Sequence, residues 1–216
     1  HLAKVCAKDL AIPGVAIDGA EYFCEVLPVE YAPCVQAVAL SQHQRRPPDL
    51  GRIASFCDAG GDLPAARENG RWLGARIGQG IDYAAFSAKE VTRAAVEQEL
   101  RRCGLVMLAT HGHFDDQRPE NSFLQLADHD WSALDMAALA PLERSPGVIL
   151  AACEVSAADP GESPDADGVP GALLSAGAAF VLGSRWPVED VSMGYLIERF
   201  VHHLTHVGLR PAAVLF

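Results

Sequence analysis

Residues 105–112 read LVMLATHG and residues 147–154 read GVILAACE. Each opens on a near-continuous apolar run, 105–110 and 147–152, and each run ends in a chemically distinctive residue, His111 in the first and Cys153 in the second. An apolar stretch of this length without alternation fits a strand buried on both faces, as the strands of a parallel sheet are. Residues 179–184 (AFVLGS) have the same character, and 52–56 form a weaker fourth candidate.

Working outward, the segments between these runs carry helical spacing. Residues 63–77 predict a helix interrupted at Gly70. Ser87-Ala88-Lys89-Glu90 has the form of a capping box, and the helix it opens is expected to run to Arg102, with Val96, Leu100 and Cys103 on one stripe and Gly104 as its stop. Residues 132–139 predict a short helix opened by Ser132. A final helix is expected after Asp190, with Leu196, Phe200, Leu204 and Val207 as its apolar stripe and Gly208 as its end. Near the front, 15–17 and 21–28 flank Asp18-Gly19, a common two-residue hairpin turn. Stretches 113–121 and 155–170 predict loops, the second rich in Pro, Gly and Asp. Strands alternating with helices imply right-handed crossovers, so the fold class is α/β, a mostly parallel central sheet with helices on both faces, preceded by a β-hairpin.

The 216 residues suit one domain, with 1–50 as a hairpin and connecting segment and 51–216 as the core. Half the chain is apolar and 21% is charged, a composition that supports a buried core. A net charge of −11 speaks against a nucleic-acid surface, because phosphate binding needs a basic face. No apolar run reaches the roughly 18–20 residues that a membrane span requires, and no membrane partner is expected. The first ten residues lack a signal-peptide pattern, and a start at His1 suggests a processed chain or a fragment. The six cysteines are at least ten residues apart, so no C-x-x-C motif is present, and most are expected as small core residues in a reducing cytoplasm.

Ligands of an open parallel sheet bind beyond the carboxyl ends of its strands. If the strands ending at His111 and Cys153 are neighbours, imidazole and thiol meet in one crevice. A thiolate there attacks a carbonyl while the imidazole carries the proton to the leaving amine. Gly112, having no side chain, lets its amide approach a substrate oxygen, and with the Cys153 amide it makes a candidate oxyanion hole. The same residues admit a plainer account, in which a Cys at the end of an apolar strand is packing and a strand-end His faces solvent. His113 forms His-x-His with His111, with Asp115 and Asp116 close by, a pattern that also suits zinc. Three histidines, His202, His203 and His206, read as a polar helix face, and Ser122 as a residue that shapes the loop beside His111.

Several ordered motifs resemble the CHAT domain family, relatives of caspases and separases. Residues 56–66 (FCDAGGDLPAA) resemble the strand and helix that open the family core, 108–114 (LATHGHF) the catalytic His motif, 119–126 (PENSFLQL) the stretch and strand that follow it, and 148–154 (VILAACE) the catalytic Cys motif. Residues 168–179 resemble the helix leading to an Ala-Gly-Ala turn, and 184–190 (SRWPVED) the tryptophan motif. Tyr31-Ala32-Pro33-Cys34 resembles an upstream tyrosine–proline element with Cys34 in place of a serine. Ala-Ala-Cys-Glu-Val is not the signature of a caspase proper, and the family pattern extends before Pro13 and beyond Phe216.

The resemblance implies a caspase-like three-layer sandwich and a cysteine endopeptidase with Cys153 as nucleophile and His111 as acid–base. It implies a dyad with no third residue, no metal and no other cofactor. Asp190 is implied as a partner for a basic substrate side chain, against a simple helix N-cap, and Trp186 as a wall of the substrate cleft. It further implies a protein substrate, control by a tetratricopeptide-repeat partner or region, a part in bacterial stress or defence, and a cytoplasmic location. The acidic 155–170 loop is the expected segment to order on activation. The competing class is a catalytically silent CHAT-like interaction or scaffold module.

Overall fold

The structure is a computed structural model that describes residues 48–78, 80–115, 117–152, 168–184 and 190–207. The expected hairpin around Asp18-Gly19, the tyrosine–proline element at 31–34, most of the 155–170 loop, and Cys153 and Trp186 lie outside the described residues.

The central sheet has five strands in the order β2-β1-β3-β7-β8, every neighbouring pair parallel. They are β1 (Arg52–Cys57), β2 (Asp82–Ser87), β3 (Leu105–Ala109), β7 (Gly147–Leu150) and β8 (Phe180–Gly183). Between β3 and β7 the chain makes a second, antiparallel sheet in the order β4-β5-β6, from β4 (Gly112–His113), β5 (Phe123–Gln125) and β6 (Asp130–Ser132). The helices are α1 (Pro64–Arg76), α2 (Arg93–Leu100), α3 (Ala133–Ala137), α4 (Val169–Ser175) and α5 (Asp190–His202), the last continuing as a π turn over His203–Val207.

Because side chains alternate along a strand, β1 and β3 supply both faces of the sheet. On one face Ala54, Phe56, Val106 and Leu108 join Val96 and Leu100 of α2, Met136 of α3 and Leu173 of α4. On the other, Ile53, Cys57, Leu105 and Met107 meet Leu73 of α1 and Ile197, Phe200, Val201 and Leu204 of α5. Helices therefore cover both faces, as the continuous apolar runs imply. The architecture is α/β with a mostly parallel central sheet, in keeping with a caspase-like sandwich.

Several elements depart from the expectation in detail. Helix α1 runs unbroken through Gly70, where a Cβ would stand 2.9 Å from Cys57 Sγ, so the glycine lets the helix lie close on the sheet. The Ser87–Glu90 capping box is formed, with the Ser87 amide donating to Glu90 Oε2 at 3.2 Å, but it opens a 3₁₀ turn. Helix α2 starts afresh at Arg93, with Thr92 Oγ1 accepting from the Ala95 amide at 3.3 Å, and it ends at Leu100 rather than Arg102. Ser132 caps α3 as expected, accepting from the Asp135 amide. The buried stripe of α5 is Ile197, Phe200, Val201 and Leu204, while Leu196 is 43% exposed.

Strand β2 carries only a four-residue apolar stretch, Tyr83–Phe86, and was not expected. Its residues are half-buried or exposed because it edges the sheet, and its register on β1 stacks Phe86 on Phe56 with ring centroids 4.5 Å apart. Cys57 and Cys103 are free and buried, as expected of core cysteines, and the other four lie outside the described residues. Burial pushes the Cys57 thiol up to about 11. Burial, then the bond to Glu99, pushes Cys103 up to about 12. Among the described residues no helix is long and apolar enough to cross a membrane.

Candidate active site

The carboxyl end of β3 carries the candidate site, and two bonds to Gln125 fix the chain there. Thr110, buried at the strand end, donates its hydroxyl to the Gln125 carbonyl at 2.6 Å. The Gln125 amide donates in turn to the His111 carbonyl at 2.8 Å. These bonds tie the backbone at His111 to β5 of the second sheet and leave its side chain 48% exposed at the rim. With Gln125 bonded to His111, the next pair, Gly112 and Leu124, falls on the non-hydrogen-bonded position of the antiparallel ladder. The Gly112 N–H is therefore directed away from β5.

Strand β7 runs beside β3 with Leu108 opposite Leu150, and the Ala151 amide donates to the Leu108 carbonyl at 2.9 Å. In the sequence, His111 and Cys153 each come three residues after a member of that register pair. The residue before Cys153, Ala152, is 3% exposed, and its carbonyl accepts from Ser184 Oγ at 3.5 Å, beyond the end of β8. The segment bearing Cys153 returns to the described fold at Gly168. There the backbone has φ +95°, and a Cβ would meet Phe114, the Pro119 carbonyl and Ser122 Oγ, each at 3.6 Å. The chain that leaves β7 thus comes back against the loop that follows His111.

That loop is built by its own polar groups. Ser122 is fully buried and its hydroxyl accepts from the Asp115 amide at 3.1 Å, the loop-shaping part expected of it. Asp115 Oδ1 accepts from the Gln117 and Arg118 amides at 3.0 and 2.9 Å. These bonds, the Arg118 amide foremost, hold its carboxyl below the usual range. His113 lies against the Phe123 ring, with centroids 5.3 Å apart, and among the described residues no group of three or more His, Cys, Asp or Glu side chains could hold a metal ion.

On the opposite side of β3 the loop after β1 brings in a residue that the sequence did not single out. Asp62 Oδ2 lies 3.1 Å from His111 Nε2. The loop is anchored by Asp58, fully buried at φ +60°. Its amide donates to the Ala109 carbonyl at 2.8 Å, and its Oδ1 accepts from the Leu63 amide at 2.7 Å. Its Oδ2 takes a bidentate grip from Arg67. Burial alone would raise the Asp58 carboxyl, but the Leu63 amide and the Arg67 guanidinium together outweigh it and hold the group below its ordinary value. In the sequence Asp62 sits among Asp58, Gly60 and Gly61, where any acid reads as a turn residue. Only the pairing of β1 with β3 brings it beside His111.

The CHAT domain family model matches residues 15–215. This chain belongs to the CHAT domain family. That family is related to the caspase-like cysteine peptidases, and the parallel sheet of this CHAT domain, with His111 at the end of its middle strand, accords with the relation. No curated protein matches the chain. Within the CHAT domain, the described site residues are His111 and Gly112. Cys153 and Trp186 lie outside the described residues, and so does the side chain of Asp190, whose backbone begins α5.

Proposed function

We propose that this CHAT domain is a cysteine endopeptidase acting on a protein substrate, with Cys153 as nucleophile and His111 as acid–base. The observation that carries the reading is the register of β3 and β7: two chemically complementary residues follow Leu108 and Leu150 at the same offset. A thiol and an imidazole at that separation in sequence have no local reason to meet, and the parallel pairing of β3 with β7 supports one.

In this reading the Cys153 thiol gives its proton to His111 and the sulfur attacks the scissile carbonyl. The carbonyl oxygen, now negative, is held by the Gly112 and Cys153 amides. The imidazolium then protonates the departing amine, and water releases the acyl group from sulfur. No cofactor enters this scheme. Asp190 is assigned to a basic side chain of the substrate and Trp186 to a wall of the cleft. Residues 1–50 and 51–216 are assigned to one domain. Family membership supports regulation through a tetratricopeptide-repeat partner or region and a part in bacterial stress or defence in the cytoplasm.

The test is labelling with a thiol-reactive peptide probe, mapped to residues by mass spectrometry. Label on Cys153 that disappears in Cys153→Ala and falls at least tenfold in His111→Ala is expected, general acid–base partners contributing about 10²–10⁴ in rate. Equal labelling of wild type and His111→Ala refutes the pair. Peptide libraries varied at the position before the cut test Asp190, and equal cleavage after Leu and Arg removes it from the site.

A further inference from the structure

We infer that Asp62 is a positioning residue for His111, so that the site is a relay of three groups and not a dyad. The inference rests on the reading of His111 and Cys153 given above and extends it to the far side of the imidazole. Asp62 Oδ2 is 3.1 Å from Nε2 of His111. The carboxylate is an acceptor, so the ring nitrogen facing it carries the proton and donates it. That leaves Nδ1 as the unprotonated nitrogen, the one free to take a proton from Cys153.

The loop that carries Asp62 is held by means that have nothing to do with His111. A Cβ on Gly60 would stand 2.8 Å from Asp62 Oδ1, so the carboxylate occupies room that only glycine leaves. Gln125, whose amide fixes the His111 carbonyl, has its side-chain Oε1 3.8 Å from that same Cβ position. The Asp58 anchor ties the base of the loop to Ala109, two residues before His111. Loop and imidazole are thus mounted on one strand end, and the contact between them does not depend on a long flexible lever.

The proton accounting is short. The S–H bond of Cys153 breaks as Nδ1–H of His111 forms, leaving a thiolate and an imidazolium. The thiolate forms its bond to carbon, and Nδ1 later gives its proton to the leaving amine. Nε2–H stays on Nε2 throughout, and Asp62 stays ionised, its negative charge favouring the imidazolium at each stage where it exists. The side chains of His111 and Asp62 are 48% and 65% exposed, so solvent screens the pair. Its effect is therefore well below the one that a buried carboxylate exerts on an imidazole. A carboxylate at the rim also suits recognition of a cationic substrate side chain, and the test separates the two roles by using a reagent with no side chain to recognise.

The experiment measures alkylation of Cys153 by iodoacetamide in the full chain, followed by mass spectrometry on the peptide that contains it, from pH 5 to 9. Wild type is compared with Asp62→Asn, Asp62→Glu and His111→Ala, each checked for an unchanged thermal midpoint. Expected for Asp62→Asn is a fall of about three- to fivefold at pH 7, the size of an exposed ion pair, with the rise of rate displaced to higher pH, and recovery of most of the loss in Asp62→Glu. A rate for Asp62→Asn within about twofold of wild type, while His111→Ala slows, overturns the role of Asp62 and leaves the pair standing. Equal slowing in Asn and Glu variants with no displacement in pH also overturns it, since a merely structural loss has that form. An unchanged rate in His111→Ala brings down the pair, and the inference with it.

Discussion

Replacing Asp58 tests whether the loop at the end of β1 is held as described. Asparagine keeps an acceptor for the Leu63 amide and tolerates the left-handed backbone at φ +60°. It loses the charge that Arg67 grips. Since the Arg67 side chain is 34% exposed while Asp58 is fully buried, the pair lies between a surface and a buried ion pair, and its loss costs about 1–2 kcal/mol. Alanine loses the same charge, strands the Leu63 amide for about another 1 kcal/mol, and adds about 1 kcal/mol of left-handed strain. The totals are about 1–2 for Asp58→Asn and about 3–4 kcal/mol for Asp58→Ala, each kcal/mol lowering the midpoint by about 2–4 °C in a chain of this size.

The pH dependence has a definite sign. The folded-state value of Asp58 is below its ordinary one, so the stabilisation is complete above the unfolded carboxyl range near about 4 and is lost as pH falls through the folded value. Urea titrations from pH 8 downward should show a constant gap between wild type and Asp58→Asn that narrows in acid. Equal costs for Asn and Ala, or a gap that stays open below the carboxyl range, would refute the account of the loop.

Other outcomes follow from the core. Burial pushes both Cys57 and Cys103 well above the ordinary thiol range, so both should resist iodoacetamide at pH 8 in the folded protein and react once it is unfolded in urea. Leu108→Ala, at a fully buried position of the middle strand, should cost about 3 kcal/mol in urea titration. A methyl group on Gly104 would run into the Asp49 backbone, which has no rotamer by which to retreat, so Gly104→Ala should cost more than about 2 kcal/mol by the same assay. Ser122→Ala removes the acceptor of the Asp115 amide and should cost about 1 kcal/mol, read as a midpoint shift of about 2–4 °C.

Strands β3, β7 and β8 were legible because nearly every residue in them is apolar, which in β3 and β7 reflects burial on two faces, while β8 is half-buried at the edge of the described sheet. β1 was fainter, since Arg52 and Ser55 interrupt it. Both are accounted for by partners remote in sequence: Arg52 Nε donates to Glu99 at 2.8 Å, and Ser55 shares a 2.6 Å hydrogen bond with Tyr83. β2, half-exposed at the edge, gave no signal, and β4 to β6 are two or three residues each, too short for a period to show. The motif resemblance, and not periodicity, pointed to the strand after Ser122. For the site, strand ends marked His111 and Cys153. Asp62 stayed hidden because its meaning depends on β1 lying against β3, a relation across 49 residues that no local pattern encodes.

The place of β3 in the sheet also bears on time. It has β1 on one side and β7 on the other, with packed layers above and below, so its amides can meet solvent only when the neighbouring strands let go. Edges fray first, and hydrogen exchange in such a sheet is slowest at its middle. The amides of 106–109 should outlast those of β2 by orders of magnitude. The backbone that mounts His111 is thereby among the most persistent parts of the described fold, and the base of the Asp62 loop, tied to Ala109, shares that persistence.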